Sequence, residues 1–313
     1  MAENSSYDKI TADGDTILVI GPDEARLCVQ SCLLQAASKV FKAMFGPHYK
    51  EGQRSGLNGS KKEIPLPEDD VGAMTIICAV IHYRNDILPG ELSSSEVLQI
   101  SVVADKYDCK VALKHATHHW LDHRNVVSLK EQMELMTAAY LLDQAQAFSE
   151  ITYAMMMEHA GSYLPFAQDQ IDFGVPWELF YLLEAKRGSI HQQLGDILSV
   201  KYQYEDCPCG FKSKSAYGYL GILSAGGFLP SLYLDRLDGE TAINRIKRAE
   251  QMGPPSEVED CTGCDNYRWH RPAYSRESML KNLQELKDGK GLCLHCISGG
   301  SRVYSEKPCS IEH

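Results

Sequence analysis

The chain has 313 residues, enough for about two domains of ordinary size, and 44% of them are hydrophobic, so it can bury substantial cores. Its formal net charge of -11 argues against a general nucleic-acid binder, because a phosphate-binding surface requires clustered Lys and Arg. The longest apolar run, residues 74–81, is far too short to span a bilayer, so we expect no membrane segment. The N-terminus MAENSSYDKI lacks the apolar core of a secretory signal, so we expect a location in the cytoplasm, the nucleus or both.

Two short strands and a helix are predicted near the N-terminus. Residues 17–20 form an apolar run bounded by turn residues, which is typical of a buried strand, and Leu27 and Val29 continue a second strand after the turn at 21–23. The apolar spacing then changes to three and four, which predicts a single helix with one buried stripe. The stripe consists of Leu33, Ala36, Ala37, Val40, Phe41, Met44 and Phe45.

A third strand and two further helices follow. Pro65 and Pro67 flank Leu66 and limit this segment to an edge or terminal strand, because proline cannot donate a ladder hydrogen bond. Residues 74–83 have a helical pattern. A second helical stripe contains Val97, Ile100, Val103, Ala104 and Tyr107.

In order and content, this block resembles the BTB/POZ domain, and the whole chain resembles a fungal-type BTB protein. The matching residues are Asp15, Val29, Leu33, Ser38, Phe41, Met44, Phe45, Ala104, Asp105, Lys106 and Tyr107. Leu27 stands where the family has an aromatic residue, and Gln30 stands where it often has His. The resemblance implies an α+β fold with a BTB/POZ domain over residues 10–123, acting as an interaction module and not as an enzyme.

The middle third, residues 126–200, is predicted to be helical. Apolar residues recur at helical spacing over 128–160 and again over 176–198, and Ser128 with Glu131 has the spacing of a capping box. BTB proteins often continue in a helical extension, which this segment resembles.

Residues 201–313 form a Cys-rich region. Cys261 with Cys264 and Cys293 with Cys296 are two Cys-x-x-Cys pairs with 28 residues between them, and each pair can place two thiolates on one tight turn. These four residues are the predicted ligands of one structural Zn²⁺. Cys207, Cys209, His270 and His295 are alternative ligands. The competing interpretation is that the cysteines are buried small side chains in a reducing compartment.

The sequence contains no phosphate-binding loop, no Gly-x-Ser-x-Gly elbow and no His-Glu-x-x-His arrangement, so we expect a protein that is not an enzyme. A zinc-dependent enzyme is a weaker third hypothesis.

The first function hypothesis is an interaction scaffold. The family resemblance implies homodimerisation through the BTB domain, and some members bind cullins as substrate adapters of ubiquitin ligases. Tyr49 and Glu51 resemble the apolar-x-Glu element of those members, so Met44, Phe45, Tyr49 and Glu51 are the predicted interaction residues. The alternative is a transcription or chromatin regulator that dimerises through the BTB domain and uses the Cys-rich tail as a zinc module. The partner of the C-terminal region is not indicated.

Overall fold

The computed structural model describes residues 8–47, 61–126, 128–199, 211–229, 239–253 and 275–298. The chain divides into two compact units. The first unit comprises Met1–Ile151, Gln168–Pro176 and Cys293–Glu312, and the second comprises mainly Thr152–Ala167 and Trp177–Leu292. These limits differ from the predicted segments 10–123, 126–200 and 201–313, which remain predictions about domain organisation.

A small mixed sheet lies in the first unit. Its strands are β1 (Asp8–Lys9), β2 (Thr16–Ile20), β3 (Ala25–Val29) and β4 (Lys62–Leu66), and their spatial order is β1-β3-β2-β4. Strands β2 and β3 form an antiparallel hairpin, in which Ile17 lies opposite Cys28. Strand β4 runs parallel to β2, with Leu18 opposite Ile64. The proline-flanked segment is therefore at an edge of the sheet, as predicted.

The predicted helix over residues 33–45 is two helices, α1 (Ser31–Ala37) and α2 (Lys39–Met44). The break is at Ser38, whose backbone is extended and whose hydroxyl accepts a hydrogen bond from the amide of Phe41. Serine favours this N-cap role over a helix interior because its side chain satisfies an amide that has no intrahelical partner. The apolar spacing passes through the break unchanged, so periodicity alone could not locate it.

The first unit continues with α3 (Val71–Ile81), a short 3₁₀ turn (Asn85–Ile87), α4 (Ser94–Lys106) and α5 (Lys110–Trp120). Its core gathers buried side chains from the sheet and from these helices, including Leu18, Phe41, Ile77 and Val103. Helix α4 also packs against α6 (Leu129–Leu141). The predicted elements of this unit therefore occur in the predicted order, and the fold class is α+β.

The remaining helices are α7 (Ala145–Glu158), α8 (Leu164–Ile171), α9 (Glu178–Leu198), α10 (Phe211–Ala225), α11 (Ala242–Glu250), α12 (Arg276–Lys287) and α13 (Leu294–Ser298). In the second unit, α9, α11 and α12 pack on one another. An ion pair of 2.7 Å between Lys287 and Glu250 joins α12 to the end of α11. The helical interpretation of residues 128–160 and 176–198 is confirmed, with α9 beginning at Glu178.

One predicted capping box is wrong and another was missed. Ser128 is the N-cap of α6, but its side chain makes no capping hydrogen bond. Ser93 forms a complete capping box at α4, where its hydroxyl accepts from the amide of Glu96 and the Glu96 carboxylate accepts from the amide of Ser93. The sequence spacing is the same at both sites, so the difference depends on local side-chain geometry.

Candidate interaction surfaces

The structure describes two of the four predicted interaction residues. Met44 is the last residue of α2 and Phe45 follows it as the C-cap; both are partly buried against the core of the first unit. The Phe45 ring stacks on Phe41 with centroids 6.0 Å apart, and the Lys62 ammonium lies 5.3 Å from the Phe45 centroid. The structure therefore gives Met44 and Phe45 an anchoring role and leaves part of each accessible. Tyr49 and Glu51 lie outside the described residues.

Helix α2 is fixed to the end of α4 through Ser38 and Tyr107. The Ser38 hydroxyl donates to the carbonyl oxygen of Tyr107 across 2.5 Å. The rings of Phe41 and Tyr107 are stacked almost parallel, with their centroids 4.6 Å apart. Polar and aromatic contacts therefore both hold α2, together with Met44 at its end, in one position on the core.

Tyr107 also binds the buried carboxylate of Asp69. The Tyr107 hydroxyl donates to Asp69 Oδ2 across 2.5 Å, and the Lys106 ammonium donates to Asp69 Oδ1 across 2.6 Å. Burial, followed by this hydrogen bond and the Asp69 charge, raises the pKa of Tyr107 well above its ordinary value. Lys106 and Tyr107 were singled out by family resemblance, and their observed contacts are structural.

A second buried network includes the N-terminus of α1. His82 Nδ1 lies 2.7 Å from the Cys78 carbonyl oxygen, and His82 Nε2 accepts from the amide of Gln30 across 2.9 Å. This pairing identifies the neutral tautomer with its proton on Nδ1. Burial lowers the pKa of His82, and the hydrogen bond to the Cys78 carbonyl and the nearby Asp15 charge oppose this only in part. The site favours an uncharged imidazole.

Asp15, which directly precedes β2, caps the N-terminus of α1. Its carboxylate accepts from the Ser31 amide across 2.7 Å and from the Ser31 hydroxyl across 2.6 Å. Burial raises the pKa of Asp15, but the Ser31 hydrogen bonds outweigh burial, so its pKa lies below the ordinary value. A negative charge at a helix N-terminus is favourable because it satisfies unpaired amides.

An exposed surface with two apolar side chains follows the C-terminal end of α3. We call it the edge surface and define it by Tyr83, Arg84 and Ile87. The side chains of Tyr83 and Ile87 are 82% and 42% exposed. Arg84 donates to the carbonyl oxygen of Ile10 across 2.7 Å, which ties this surface to the chain just beyond β1. Strand β1 is an edge strand, so the edge surface adjoins the end of the sheet.

Tyr83 has an unusual backbone conformation. Its φ of 59° lies in the left-handed region, where glycine is the usual residue. Its amide bonds to Val80 O and the Arg84 amide bonds to Ala79 O, which is the Schellman pattern of a helix end. Asp143 has the same conformation after α6. An exposed, bulky residue in this position is energetically costly, so Tyr83 is a candidate for a role beyond stability.

The second unit has an exposed aromatic pair, Trp177 and Tyr181. They are 63% and 59% exposed and lie four residues apart at the start of α9, which places them on the same helical face. Trp and Tyr are the residue types most enriched at binding hot spots. The pair is therefore a second candidate contact surface, and it belongs to the second unit.

The helix that carries the aromatic pair is firmly anchored. Glu184 Oε1 accepts from the Ser162 hydroxyl across 2.7 Å and from the Tyr163 amide across 2.9 Å. Arg187 pairs with Glu184 Oε2 at 2.7 Å, donates to the Gly161 carbonyl and covers the Tyr163 ring. These contacts fix α9 against the turn that precedes α8. A rigid base lowers the entropy cost of binding through the exposed aromatics.

The sequence interpretation missed Tyr83, Ile87, Trp177 and Tyr181. Tyr83, Trp177 and Tyr181 belong to apolar helical patterns, which are expected to be buried, and Ile87 is a single apolar residue after a polar run. For Tyr83 one signal was available, because the polar run Arg84-Asn85-Asp86 follows it immediately. Exposure itself is set by tertiary packing, which periodicity does not report.

Two of the four predicted zinc ligands are described. Cys293 directly precedes α13 and Cys296 lies within it, and both are half-buried. The Ile297 amide bonds to the Cys293 carbonyl, so the two cysteines are on one helical turn, which suits two adjacent zinc ligands. Within the described ranges, no group of three or more His, Cys, Asp and Glu side chains could hold a metal. Cys261 and Cys264 are outside those ranges, as are Cys207, Cys209 and His270.

The second unit also contains an open groove of about 430 Å³ between α7, α9 and α12. Lys186 and Lys290 line it together with Asp196 and Glu285, so the opposite charges offset each other.

No helix among the described residues is long and apolar enough to cross a membrane. A scan against protein-family models found no match, and a search of the curated proteins found none.

Proposed function

We propose that the chain is a protein–protein interaction scaffold of the BTB/POZ type, which forms a homodimer through its first unit. The observation that supports the proposal is the first unit, an α+β arrangement in which three strands, two short helices, an edge strand and three longer helices follow one another along the chain. Ser38, Phe41, Lys106 and Tyr107, which carry the resemblance, meet in one network. Such an arrangement builds a rigid support for surface contacts.

The edge surface is the proposed dimer contact. Tyr83 and Ile87 expose apolar area beside an edge strand, and both features favour pairing with a second copy. In a twofold dimer, the same patch on each protomer would meet its counterpart. The chain as a whole is acidic, so an apolar contact would have to offset general charge repulsion between copies.

The proposed second contact is a cullin, bound through the end of α2. Met44 and Phe45 are held on the core by the Phe41 stack and remain partly accessible, and Tyr49 and Glu51 follow them closely in the sequence. In this role the chain would act as a substrate adapter of a ubiquitin ligase in the cytoplasm or nucleus. The aromatic pair on α9 is the proposed site for the substrate protein.

A structural zinc ion is proposed for the C-terminal region. The ligands would be Cys261, Cys264, Cys293 and Cys296, of which the described pair lies on one half-buried turn. When bound, zinc would offset the charge of four thiolates and link distant parts of the chain.

Affinity purification of the tagged full chain, followed by mass spectrometry, tests the adapter function. We expect a cullin among the co-purifying proteins, and we expect Tyr49→Ala combined with Glu51→Ala to remove it without loss of fold. The control is Trp177→Ala with Tyr181→Ala, which should retain the cullin. If the wild-type chain recovers no cullin, the ligase role is wrong and the scaffold must serve another assembly.

A further inference from the structure

The side chains of Cys28 and Lys61 meet in the first unit. The Lys61 ammonium donates to the Cys28 sulfur across 3.0 Å. Cys28 is completely buried in β3, and Lys61 is half-buried immediately before β4. The pair therefore has the composition of a reactive site, with a nucleophilic sulfur and an amine at contact distance.

The sheet order makes this contact unusual. Strand β2 lies between β3 and β4, so the backbones of β3 and β4 are about 10 Å apart. The Lys61 side chain bridges this distance beside the start of β2, where the Lys62 amide donates to the Asp15 carbonyl. Gly14 leaves the necessary space, because a Cβ there would lie 2.5 Å from Cys28 Sγ. The sheet order brings the two groups near each other, and the absence of a side chain at Gly14 leaves room for them to meet.

We propose that Cys28 and Lys61 form a covalent sulfur–nitrogen crosslink when a peroxide oxidises the protein. The inference does not depend on the proposed scaffold function. Two reacting atoms held at about 3–3.5 Å approach the geometry of attack, which removes most of the entropy cost of bringing them together. The 3.0 Å separation of sulfur and nitrogen meets that condition.

The reaction consumes one peroxide. When the packing around Cys28 opens, its thiol loses a proton to water, and the thiolate attacks hydrogen peroxide to give sulfenic acid and hydroxide. The hydroxide takes a proton from the Lys61 ammonium, forming water and a neutral amine. The amine then attacks the sulfur, the S–O bond breaks, and the departing hydroxide leaves as a second water with a proton from nitrogen. Sulfur loses two electrons, the peroxide gains them, and an S–N bond remains.

Burial of Cys28 favours reaction of its oxidised sulfur with Lys61 over reaction with thiols from solution. Cys28 is 0% exposed, so an oxidant reaches its sulfur only when the packing around it opens transiently, and hydrogen peroxide needs a smaller opening than a large thiol reagent or a partner thiol. A sulfenic acid formed here would therefore react with the nearby amine in preference to a thiol from solution. Cys32, which is exposed on α1, provides the internal comparison.

The test treats the purified full chain with hydrogen peroxide and maps its peptides by mass spectrometry. We expect the peptides of Cys28 and Lys61 to appear as one joined species that is lighter by two hydrogen atoms, and we expect dithiothreitol to separate them. The crosslink closes a loop between β3 and β4, so the thermal midpoint should rise by roughly 5 °C before reductant is added.

Lys61→Arg is the matched variant, because arginine keeps the charge and donor capacity but is a poor nucleophile. It should lose the joined species while Cys28 advances to sulfinic acid, and Cys32→Ser should leave the joined species unchanged. Recovery of oxidised Cys28 with unmodified Lys61 in the wild-type chain would overturn the proposal. So would a Cys28 that stays unoxidised while Cys32 is fully oxidised.

Discussion

The Tyr107 hydroxyl lies 2.5 Å from Asp69 Oδ2 and is one of two donors that stabilise this buried carboxylate. The second donor is Lys106, whose ammonium is partly exposed. A buried carboxylate is costly unless its oxygens are satisfied, so the contact fixes the end of α4 against the loop that precedes α3. The same tyrosine supports Phe41, so the position of α2 depends on it.

Tyr107→Phe should therefore destabilise the first unit. The ring stack with Phe41 is preserved, but Asp69 loses one donor, and we expect the free energy of unfolding to fall by about 1–3 kcal/mol. Urea unfolding measures this change. Tyr83→Phe is the control, because the Tyr83 side chain is largely exposed, and its effect should be within about 0.5 kcal/mol. Equal effects of the two variants would contradict the role given to the Asp69 contact.

Stability should also depend on the His82 imidazole. The pKa of His82 is lowered in the folded protein, so the unfolded chain binds the proton more readily. The contribution of the neutral His82 imidazole to the free energy of unfolding is fully present above the ordinary histidine pKa of about 6.5, and it is lost as the pH falls below that value. We expect lower stability at about pH 5.5 than at about pH 7.

His82→Gln should reduce this pH dependence, and thermal unfolding at several pH values measures it. Glutamine can retain one of the hydrogen bonds but does not titrate. His118→Gln, on the exposed side of α5, should leave the pH dependence as it is in the wild-type chain. An unchanged pH profile in His82→Gln would show that another group is responsible.

Replacement of Tyr83 by glycine should increase the stability of the monomer and weaken association between copies. With the protein dilute enough to be monomeric, Tyr83→Gly should raise the free energy of unfolding by roughly 0.5–1 kcal/mol, because glycine adopts this conformation without strain. At higher concentration the same variant should associate more weakly than the wild type. Asp143→Gly relieves the same backbone conformation after α6 and should leave association unchanged. Equal association constants for the wild type, Tyr83→Gly and Asp143→Gly would exclude Tyr83 from the dimer contact.

Zinc content provides a prediction for the Cys-rich region. Elemental analysis of the untagged chain should find about one zinc per chain. Cys293→Ser with Cys296→Ser should release it and increase protease cleavage in the C-terminal region, while Cys32→Ser should retain it. A zinc-free wild-type chain in which this region still resists protease would show that the cysteines are ordinary buried thiols.

The sequence predicted three of the four strands and the helical segments over residues 33–45, 74–83, 97–107, 128–160 and 176–198, because their apolar spacing is regular, and it did not predict the two-residue strand β1. The sequence did not predict the features that depend on a single polar side chain. Ser38 separates α1 from α2 although the apolar stripe continues through it. Ser93 caps α4, whereas Ser128 at the same spacing leaves α6 without a side-chain cap. Candidate sites were harder to predict. Cys28 lies on β3 and Lys61 lies just before β4, which is not a neighbour of β3, so their contact depends on a sheet order that local patterns do not specify.

Sedimentation equilibrium of the full chain at micromolar concentration tests the central claim, that the first unit is a dimerising interaction module, most directly. We predict twice the chain mass for the wild type and a shift toward the single-chain mass for Tyr83→Gly combined with Ile87→Glu, since a charge at each copy of the edge surface would repel its counterpart. A wild-type chain that sediments as a strict monomer over this concentration range would contradict the claim.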